Sequence, residues 1–197
     1  MIKQNTSIAF CGIDGSGKGT QINNVHNSLK NQNLDVLLAK LNYFPLNHYG
    51  DCIVKDAFLK LRSGIEILKY YSILRFKNPN YDFILHDRYI VCYLAYAYAK
   101  GINKVLLLKN CFDLLINEAD LTIYFDIEVK EALQRIETRN RKKTRNENYE
   151  TLSRAKEGYE ILLARMKNIE IIQAGQSEEE VYQQVENCLV KKLKTTH

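Results

Sequence analysis

The clearest chemical signal in the chain lies in residues 10–20, which read FCGIDGSGKGT. Gly12, Gly17 and Lys18 fit the spacing Gly-x-x-x-x-Gly-Lys of a phosphate-binding loop, or P-loop. Glycines permit positive φ angles, so backbone amides can converge on an anion, and the helix predicted after the loop adds its positive dipole end. Lys18 can reach the outer phosphates of a nucleoside triphosphate. The spacing therefore predicts a triphosphate site, with a flexible glycine turn as the alternative.

One position departs from the P-loop pattern. Gly19 follows Lys18 where Ser or Thr is usual, and the hydroxyl comes one residue later, at Thr20. Magnesium would then be held differently, or through water. We expect these loop residues to contact the nucleotide, and Thr20 to serve the metal as well: Gly12, Asp14, Gly15, Ser16, Gly17, Lys18, Gly19 and Thr20.

A second group able to do chemistry is Asp87-Arg88-Tyr89, which follows the apolar run YDFILH at residues 81–86. Open parallel sheets bind ligands beyond the carboxyl ends of their strands, so this group and the P-loop are expected in one cleft. Asp87 could bind or orient hydrated magnesium, and Arg88 could grip a second phosphate through its planar fork. A surface ion pair at a strand end is the alternative.

A third group is a basic cluster that follows the apolar stripe of a predicted helix at residues 129–136. Its members are Arg135, Arg139, Arg141, Lys142, Lys143 and Arg145. A mobile lid that carried them would bring cations onto phosphates and exclude water. A solvated helix end and a nucleic-acid patch are the alternatives.

The elements that must position these groups alternate along the chain. Apolar runs at residues 7–11, 35–41, 81–86, 121–125 and 169–172 predict five buried strands. A loop is predicted at residues 42–50, and helical patterns occupy residues 52–61, 65–76, 103–117 and 149–167. Ser177 and Glu180 predict a capping box for the last helix. The alternation predicts one α/β domain over residues 1–197, with a parallel sheet covered on both faces.

Composition limits the class of protein. Five scattered cysteines without close pairs favour reduced thiols in a cytoplasmic protein over a zinc or redox site. No run of eighteen apolar residues and no secretory leader is evident, so neither export nor a membrane span is expected. The net charge of +5 is modest, and small anionic substrates explain it as well as nucleic acid does.

Four segments together resemble the thymidylate kinase family of nucleoside monophosphate kinases. They are FCGIDGSGKGTQ, HDRYIVCYLAYAYAKG, EADLTIYFDIEVKEALQRIETR and RAKEGYEILLA, in matching order and spacing. The resemblance implies a three-layer P-loop kinase fold with a mobile basic lid. It also implies phosphorylation of a nucleoside monophosphate, foremost dTMP to dTDP, with ATP and Mg²⁺. Members of this family are often homodimers that associate through apolar helices, although the sequence leaves the oligomeric state open.

The resemblance also implies residue roles. Tyr71 would stack on the acceptor base, Arg75 would donate to its carbonyl, and Asp14 would approach the acceptor sugar. Some members of the family have a basic residue within the P-loop, where this chain has Gly15 or Ser16, so a lid arginine would act instead. The expected catalytic residues are Lys18, Asp87, Arg88, Arg141 and Arg145, with Asp87 and Thr20 at the metal. The expected acceptor site comprises Asp14, Phe44, Tyr71, Arg75, Arg88, Cys92 and Tyr96.

Several departures from the family pattern leave the acceptor open. Asn47 or His48 stands where a phosphate-gripping arginine is expected, Cys92 replaces a usual Ser, and Ala97 replaces a frequent Gln. A kinase for another deoxynucleotide, a nucleoside kinase and a nucleotide-binding regulator all stay open. Turnover with a monophosphate, with a nucleoside and without an acceptor separates these alternatives.

Overall fold

The structure is a computed structural model that describes residues 6–40, 81–102, 106, 109–110 and 118–195. Within these residues the chain forms a parallel sheet of order β2-β3-β1-β4-β5. The strands are β1 (Thr6–Cys11), β2 (Val36–Lys40), β3 (Phe83–Asp87), β4 (Leu121–Asp126) and β5 (Ile169–Gln173). The predicted five-stranded parallel sheet is therefore confirmed. The predicted loop at 42–50 and helices at 52–61 and 65–76 lie outside the described residues, as does most of the helix predicted at 103–117.

The bounds of β3 and of the helix that begins at Tyr149 differ from the predictions by more than one residue. β3 begins at Phe83, and the Asp82 and Phe83 amides both donate to the Asp35 carbonyl, at 2.9 Å and 3.1 Å. The strand also includes Asp87, which pairs in register with Phe10 on one side and Lys40 on the other. The helix predicted over residues 149–167 ends at Leu163, where the amides of the next turn fold back in a tighter turn.

The helices cover both faces of this sheet. They are α1 (Lys18–Asn31), α2 (Ile90–Ala99), α3 (Val129–Thr138), α4 (Tyr149–Leu163) and α5 (Glu178–Thr195). Helix α1 packs with α5, whereas α4 packs with α2 and α3. Right-handed crossovers place α1 on one face and α2, α3 and α4 on the other, because the chain leaves β1 in one direction and β3 and β4 in the opposite direction. The predicted capping box is present, with the Ser177 amide 3.0 Å from Glu180 Oε2.

The central strand β1 fixes where the functional loop begins. Ile8, Ala9, Phe10 and Cys11 are at most 1% exposed, and β1 is paired on both sides. The Phe10 ring stacks on Phe125 of β4 at a centroid distance of 6.0 Å. A strand buried on both faces and both edges leaves the following residues little freedom, so the loop after Cys11 starts from a rigid point.

Helices α2 and α4 approach each other closely at Gly158. A Cβ atom at this position would lie 2.9 Å from the Ala95 carbonyl oxygen, so only glycine allows the contact. Cys11 and Cys92 are buried free thiols, and Cys188 is a partly exposed one. In the described part of the chain no helix is long and apolar enough to span a membrane.

His86 makes the stability of the fold sensitive to acid. It lies on β3, is 3% exposed, and has its ring 5.0 Å from that of Tyr89. Burial lowers the pKa of His86 from 6.5 to about 4. The unfolded chain therefore binds a proton at this side chain more readily than the folded chain does between these two values. Stability contributed by neutral His86 is complete above pH 6.5 and is lost as the pH falls towards 4.

We predict that His86→Asn flattens the loss of stability between pH 6.5 and 4. In the wild type this single group accounts for a loss of about 3 kcal/mol across that window. Urea unfolding at several pH values measures the free energy of unfolding. The matched control is His26→Asn, which removes the partly exposed histidine of α1 instead. An equal slope in His86→Asn and wild type would show that another group causes the acid sensitivity.

Candidate active site

The loop between β1 and α1 has the conformation that its glycines predict. Gly12, Gly15 and Gly17 have φ angles of +148°, +87° and +82°. Gly15 is the most restricted, since a Cβ there would lie 2.3 Å from the Ala132 carbonyl oxygen of α3. Gly17 is the N-cap of α1, so the loop leads directly into the helix N-terminus. The arrangement is an anion-binding cradle at the positive end of a helix.

The Lys18 side chain folds back onto this loop. It is only 6% exposed, and its Nζ donates to the Ile13 carbonyl at 2.8 Å and to Ser16 Oγ at 3.2 Å. Burial and the nearby Arg88 charge lower the pKa of Lys18, while Asp14 partly opposes the shift. The ammonium group thus lies across the loop, where it stabilises the loop conformation in addition to supplying charge.

Gly19 and Thr20, the two residues after Lys18, are both exposed. A Cβ at residue 19 would have nothing within 4 Å, so space does not demand glycine there. Thr20 is exposed and lines the same cavity as Asp87. Their oxygen atoms are the donor type that Mg²⁺ prefers. Among the described residues no group of three or more His, Cys, Asp or Glu could hold a metal. Thr20 and Asp87 therefore fit a magnesium ion that takes its remaining ligands from phosphate and water.

Arg88 and Asp14 form an ion pair between the end of β3 and the P-loop. Arg88 has a φ of +72°, a conformation that non-glycine residues rarely adopt and that turns the chain sharply at the strand end. Its guanidinium lies 5.9 Å from the ring centroid of Tyr96, whose hydroxyl accepts a hydrogen bond from the Asp14 amide at 2.9 Å. Burial alone would raise the pKa of Asp14, but the charges of Arg88 and Lys18 lower it below its ordinary value.

Asp87 pairs with a residue that the sequence interpretation missed. Lys40, the last residue of β2, lies opposite Asp87 in the strand register, and its Nζ is 2.8 Å from Asp87 Oδ2. The lysine side chain is 63% exposed and the aspartate 24%, so the pair can open to a ligand. The available signal was a charge that ends an otherwise apolar strand.

One cavity of about 510 Å³ joins the P-loop to the Asp-Arg segment, as predicted. Cations dominate its walls: Lys18, Lys40, Arg88, Arg135, Arg139 and Arg141. Asp14, Asp87 and Glu178 supply negative charge, and Ala174, Gln176 and Val181 line the side beyond β5. Such a volume, with this excess of cations around a glycine cradle, suits a polyphosphate.

The predicted basic cluster divides into two sets. The chain between α3 and α4, residues 139–148, is called the lid segment below. Arg139 and Arg141 of this segment line the cavity, whereas Arg145 is exposed and outside the cavity lining. Arg135, on α3, also lines the cavity and donates to Glu131 at 2.7 Å. Lys143 pairs instead with Glu137 on the outer side.

The structure describes only some of the remaining residues that are predicted for the acceptor site. Cys92 is fully buried, because the third position of α2 turns its thiol back towards the Tyr89 amide, 3.5 Å away. It does not line this cavity, and its predicted place in the acceptor site stays a prediction. Phe44, Tyr71 and Arg75 lie outside the described residues, as do Asn47 and His48, and their roles stay predictions.

A P-loop between the first strand and first helix of a parallel sheet, facing an Asp-Arg strand end and basic side chains, defines a P-loop protein built to bind nucleotide phosphates. The family model described as thymidylate kinase matches residues 66–185. The chain is 31% identical to the thymidylate kinase of Finegoldia magna, over 90% of this chain and 94% of that protein. It is 31% identical to the thymidylate kinase of Oceanobacillus iheyensis over 89% and 85%, and 30% identical to the probable thymidylate kinase of Sulfolobus acidocaldarius over 90% and 92%. The chain belongs to the thymidylate kinase family.

We predict that Lys18→Met lowers phosphoryl transfer by at least about a hundredfold, because the charge aimed at the phosphates is lost. Methionine fills a similar space, so the protein should still fold, with a lower melting temperature from two missing hydrogen bonds. Steady-state kinetics and thermal melting measure the two effects. Lys30→Met, near the exposed far end of the same helix, is the matched control and should keep wild-type turnover. Equal turnover in both variants would contradict the role of Lys18.

Proposed function

We propose that the protein transfers the γ-phosphoryl group of ATP to a nucleoside monophosphate, and that the preferred reaction converts dTMP to dTDP. The observation that carries this proposal is the single cavity that places Lys18 of the P-loop, Arg88 of the strand end and Arg141 of the lid segment around one space. Phosphoryl transfer needs positioning and charge neutralisation rather than covalent help from the protein. Relatives that are named thymidylate kinase, and that this chain matches over most of their length, support the choice of reaction.

The proposed roles of the residues follow from their places in the cavity. The glycine cradle and Lys18 bind the donor phosphates, and Arg88 binds the acceptor phosphate. An acceptor phosphate oxygen attacks the γ-phosphorus in line, the bond from that phosphorus to the β–γ bridging oxygen breaks, and ADP leaves with the electron pair. Arg141 of the lid segment stabilises the charge on the transferring group. Asp14, released from Arg88 when the acceptor binds, is free to approach the acceptor sugar.

Magnesium fits the oxygen donors of Thr20 and Asp87. We propose that these residues hold the ion, Asp87 after it parts from Lys40. Bound there with the donor phosphates, the ion would supply charge neutralisation. The shared cavity of the two oxygen donors and their exposure support this assignment.

The acceptor base is assigned from the sequence. Tyr71 would stack on the base and Arg75 would donate to a carbonyl oxygen, which favours thymine or uracil over cytosine. Phe44 and Tyr96 would complete the acceptor site, with Tyr96 tied to the P-loop through Asp14. Burial of Cys92 leaves the polar contact expected from a Ser at that position unmade.

The setting of the reaction belongs to the same proposal. We propose that the protein works in the cytoplasm on free nucleotides, without nucleic acid, and that it forms a homodimer. Inward placement of Arg139 and Arg141, which line the cavity, supports small phosphates over a nucleic-acid surface as their ligand.

We predict that kcat/KM is highest for dTMP among dTMP, dUMP, dCMP, UMP, dGMP and thymidine. An unpaired base atom at the position of Cys92 should weaken discrimination by roughly tenfold to a hundredfold. Coupled ADP release measures each rate, and Arg75→Ala should lose preference for carbonyl-bearing pyrimidines. A preference for a purine, for dCMP or for thymidine would overturn the assigned acceptor. ATP binding without turnover of any acceptor would favour a nucleotide-binding regulator.

We predict that Arg141→Ala lowers kcat by roughly a hundredfold and changes the acceptor KM little, the pattern of a contact made mainly in the transition state. Arg145→Ala, outside the cavity lining, should show a smaller loss. The exposed neighbour Lys142→Ala should keep wild-type kinetics. A larger loss in Arg145→Ala than in Arg141→Ala would assign the transition-state contact to Arg145 instead.

A further inference from the structure

We propose that Glu147 is a positioning residue that holds Arg139 and Arg141 of the lid segment at the phosphate cavity, and that this carboxylate thereby sets the turnover of the enzyme. The inference rests on the proposed function, because it deepens the account of the same cavity. Glu147 itself does not line the cavity and would act only through the two arginines.

One carboxylate ties together three points of the lid segment. Glu147 Oε1 accepts a hydrogen bond from Arg141 Nη2 at 3.0 Å and forms an ion pair with Arg139. Glu147 Oε2 accepts from the Thr144 amide at 2.7 Å. The segment therefore folds around the carboxylate, with both guanidinium groups on the cavity side.

Burial makes this arrangement more than a surface ion pair. The Glu147 side chain is 1% exposed, whereas exposed pairs contribute little to a fold. Burial alone would raise the pKa of Glu147, but the hydrogen bonds from Arg139 and from the Thr144 amide lower it below its ordinary value. The Arg139 and Arg141 side chains are 30% and 61% exposed, so the buried carboxylate is the fixed point from which both guanidinium groups are oriented.

The two arginines keep donors to spare for a ligand. Each guanidinium has five N–H groups, and Glu147 engages only part of them. The Arg141 side chain is 61% exposed, so its remaining donors are accessible to a ligand. Two cations share one carboxylate, so the cluster retains a net positive charge beside the cavity. Glu147 can thus orient both arginines without neutralising them.

An exposed pair in the same region provides the control. Lys143 and Glu137 lie 2.7 Å apart, with side chains 46% and 60% exposed, outside the cavity lining. Glu137→Gln removes an ion pair of the lid segment without touching Arg139 or Arg141. It separates a general loss of charge near the lid from the specific loss of Glu147.

The first test compares Glu147→Gln with Glu137→Gln in steady-state kinetics and thermal melting. We expect Glu147→Gln to lower kcat by about tenfold to a hundredfold, as misplaced catalytic groups do, while the acceptor KM stays within about twofold. Glu137→Gln should match the wild type. An unchanged kcat in Glu147→Gln would overturn the proposal, and a raised kcat would do so as well, since it would mean that Glu147 restrains the arginines.

The second test asks whether Glu147 acts through the arginines. In a variant that already carries Arg139→Ala and Arg141→Ala, Glu147→Gln should have almost no further effect on kcat. The same fold loss in both backgrounds would show that Glu147 contributes in another way. If Glu147→Gln does not fold, Glu147→Asp keeps the charge with a shorter reach. This variant should fold and still lose kcat, and wild-type kcat in it would overturn the proposal.

The third test needs no turnover. Trypsin cleaves after the basic residues of the lid segment, and mass spectrometry locates the cuts. We expect ATP to slow cleavage there in the wild type and in Glu137→Gln, but much less in Glu147→Gln. Equal protection in all three proteins would refute the positioning role. If the wild type phosphorylates no acceptor, the proposed function fails, while this comparison still decides the role of Glu147.

Discussion

The close contact between the P-loop and α3 is the constraint on which the rest of the site depends. Gly15 passes the Ala132 carbonyl with no space for a side chain, and a Cβ at Gly12 would lie 2.8 Å from the Phe125 carbonyl oxygen of β4. The loop is thereby held between β4 and the helix that leads into the lid segment. Because α3 is fixed against the loop, the basic residues that follow it begin at a set distance from the phosphate cradle.

Paired charges characterise the cavity as a whole. Lys40 is matched by Asp87, Arg88 by Asp14, and the two lid arginines by Glu147. Without such partners, so many cations in one cavity would repel one another and favour an open or distorted site. Each carboxylate holds a cation that lines the cavity. The pairs hold the cations together before a substrate binds, and under the proposed function two of them, Lys40–Asp87 and Arg88–Asp14, open when the ligands bind.

Local signals predicted much of this arrangement. The glycine spacing identified the loop. Short apolar runs identified all five strands, because the strands of a sheet that is covered on both faces consist largely of apolar residues. Contacts between distant segments could not be read in the same way. Lys40 reaches Asp87 only through the strand register, and Glu147 meets Arg139 only because the lid segment folds back on itself. The thiol of Cys92 turns towards the Tyr89 amide at the start of α2, which its sequence position did not indicate.

Tyr159 gives the lid a fixed point. This residue of α4 is fully buried, and its hydroxyl donates to the Gly12 carbonyl at 3.1 Å, so the helix after the lid segment is bonded to the first residue of the P-loop. With α3 wedged at one end and α4 anchored at the other, any opening must arise from torsions within residues 139–148. The lid segment would then move as a short loop between two fixed helices, and the length of the loop would limit how far it moves. Insertions in this segment would increase the range of that movement, whereas changes in the flanking helices would shift the positions of its two ends.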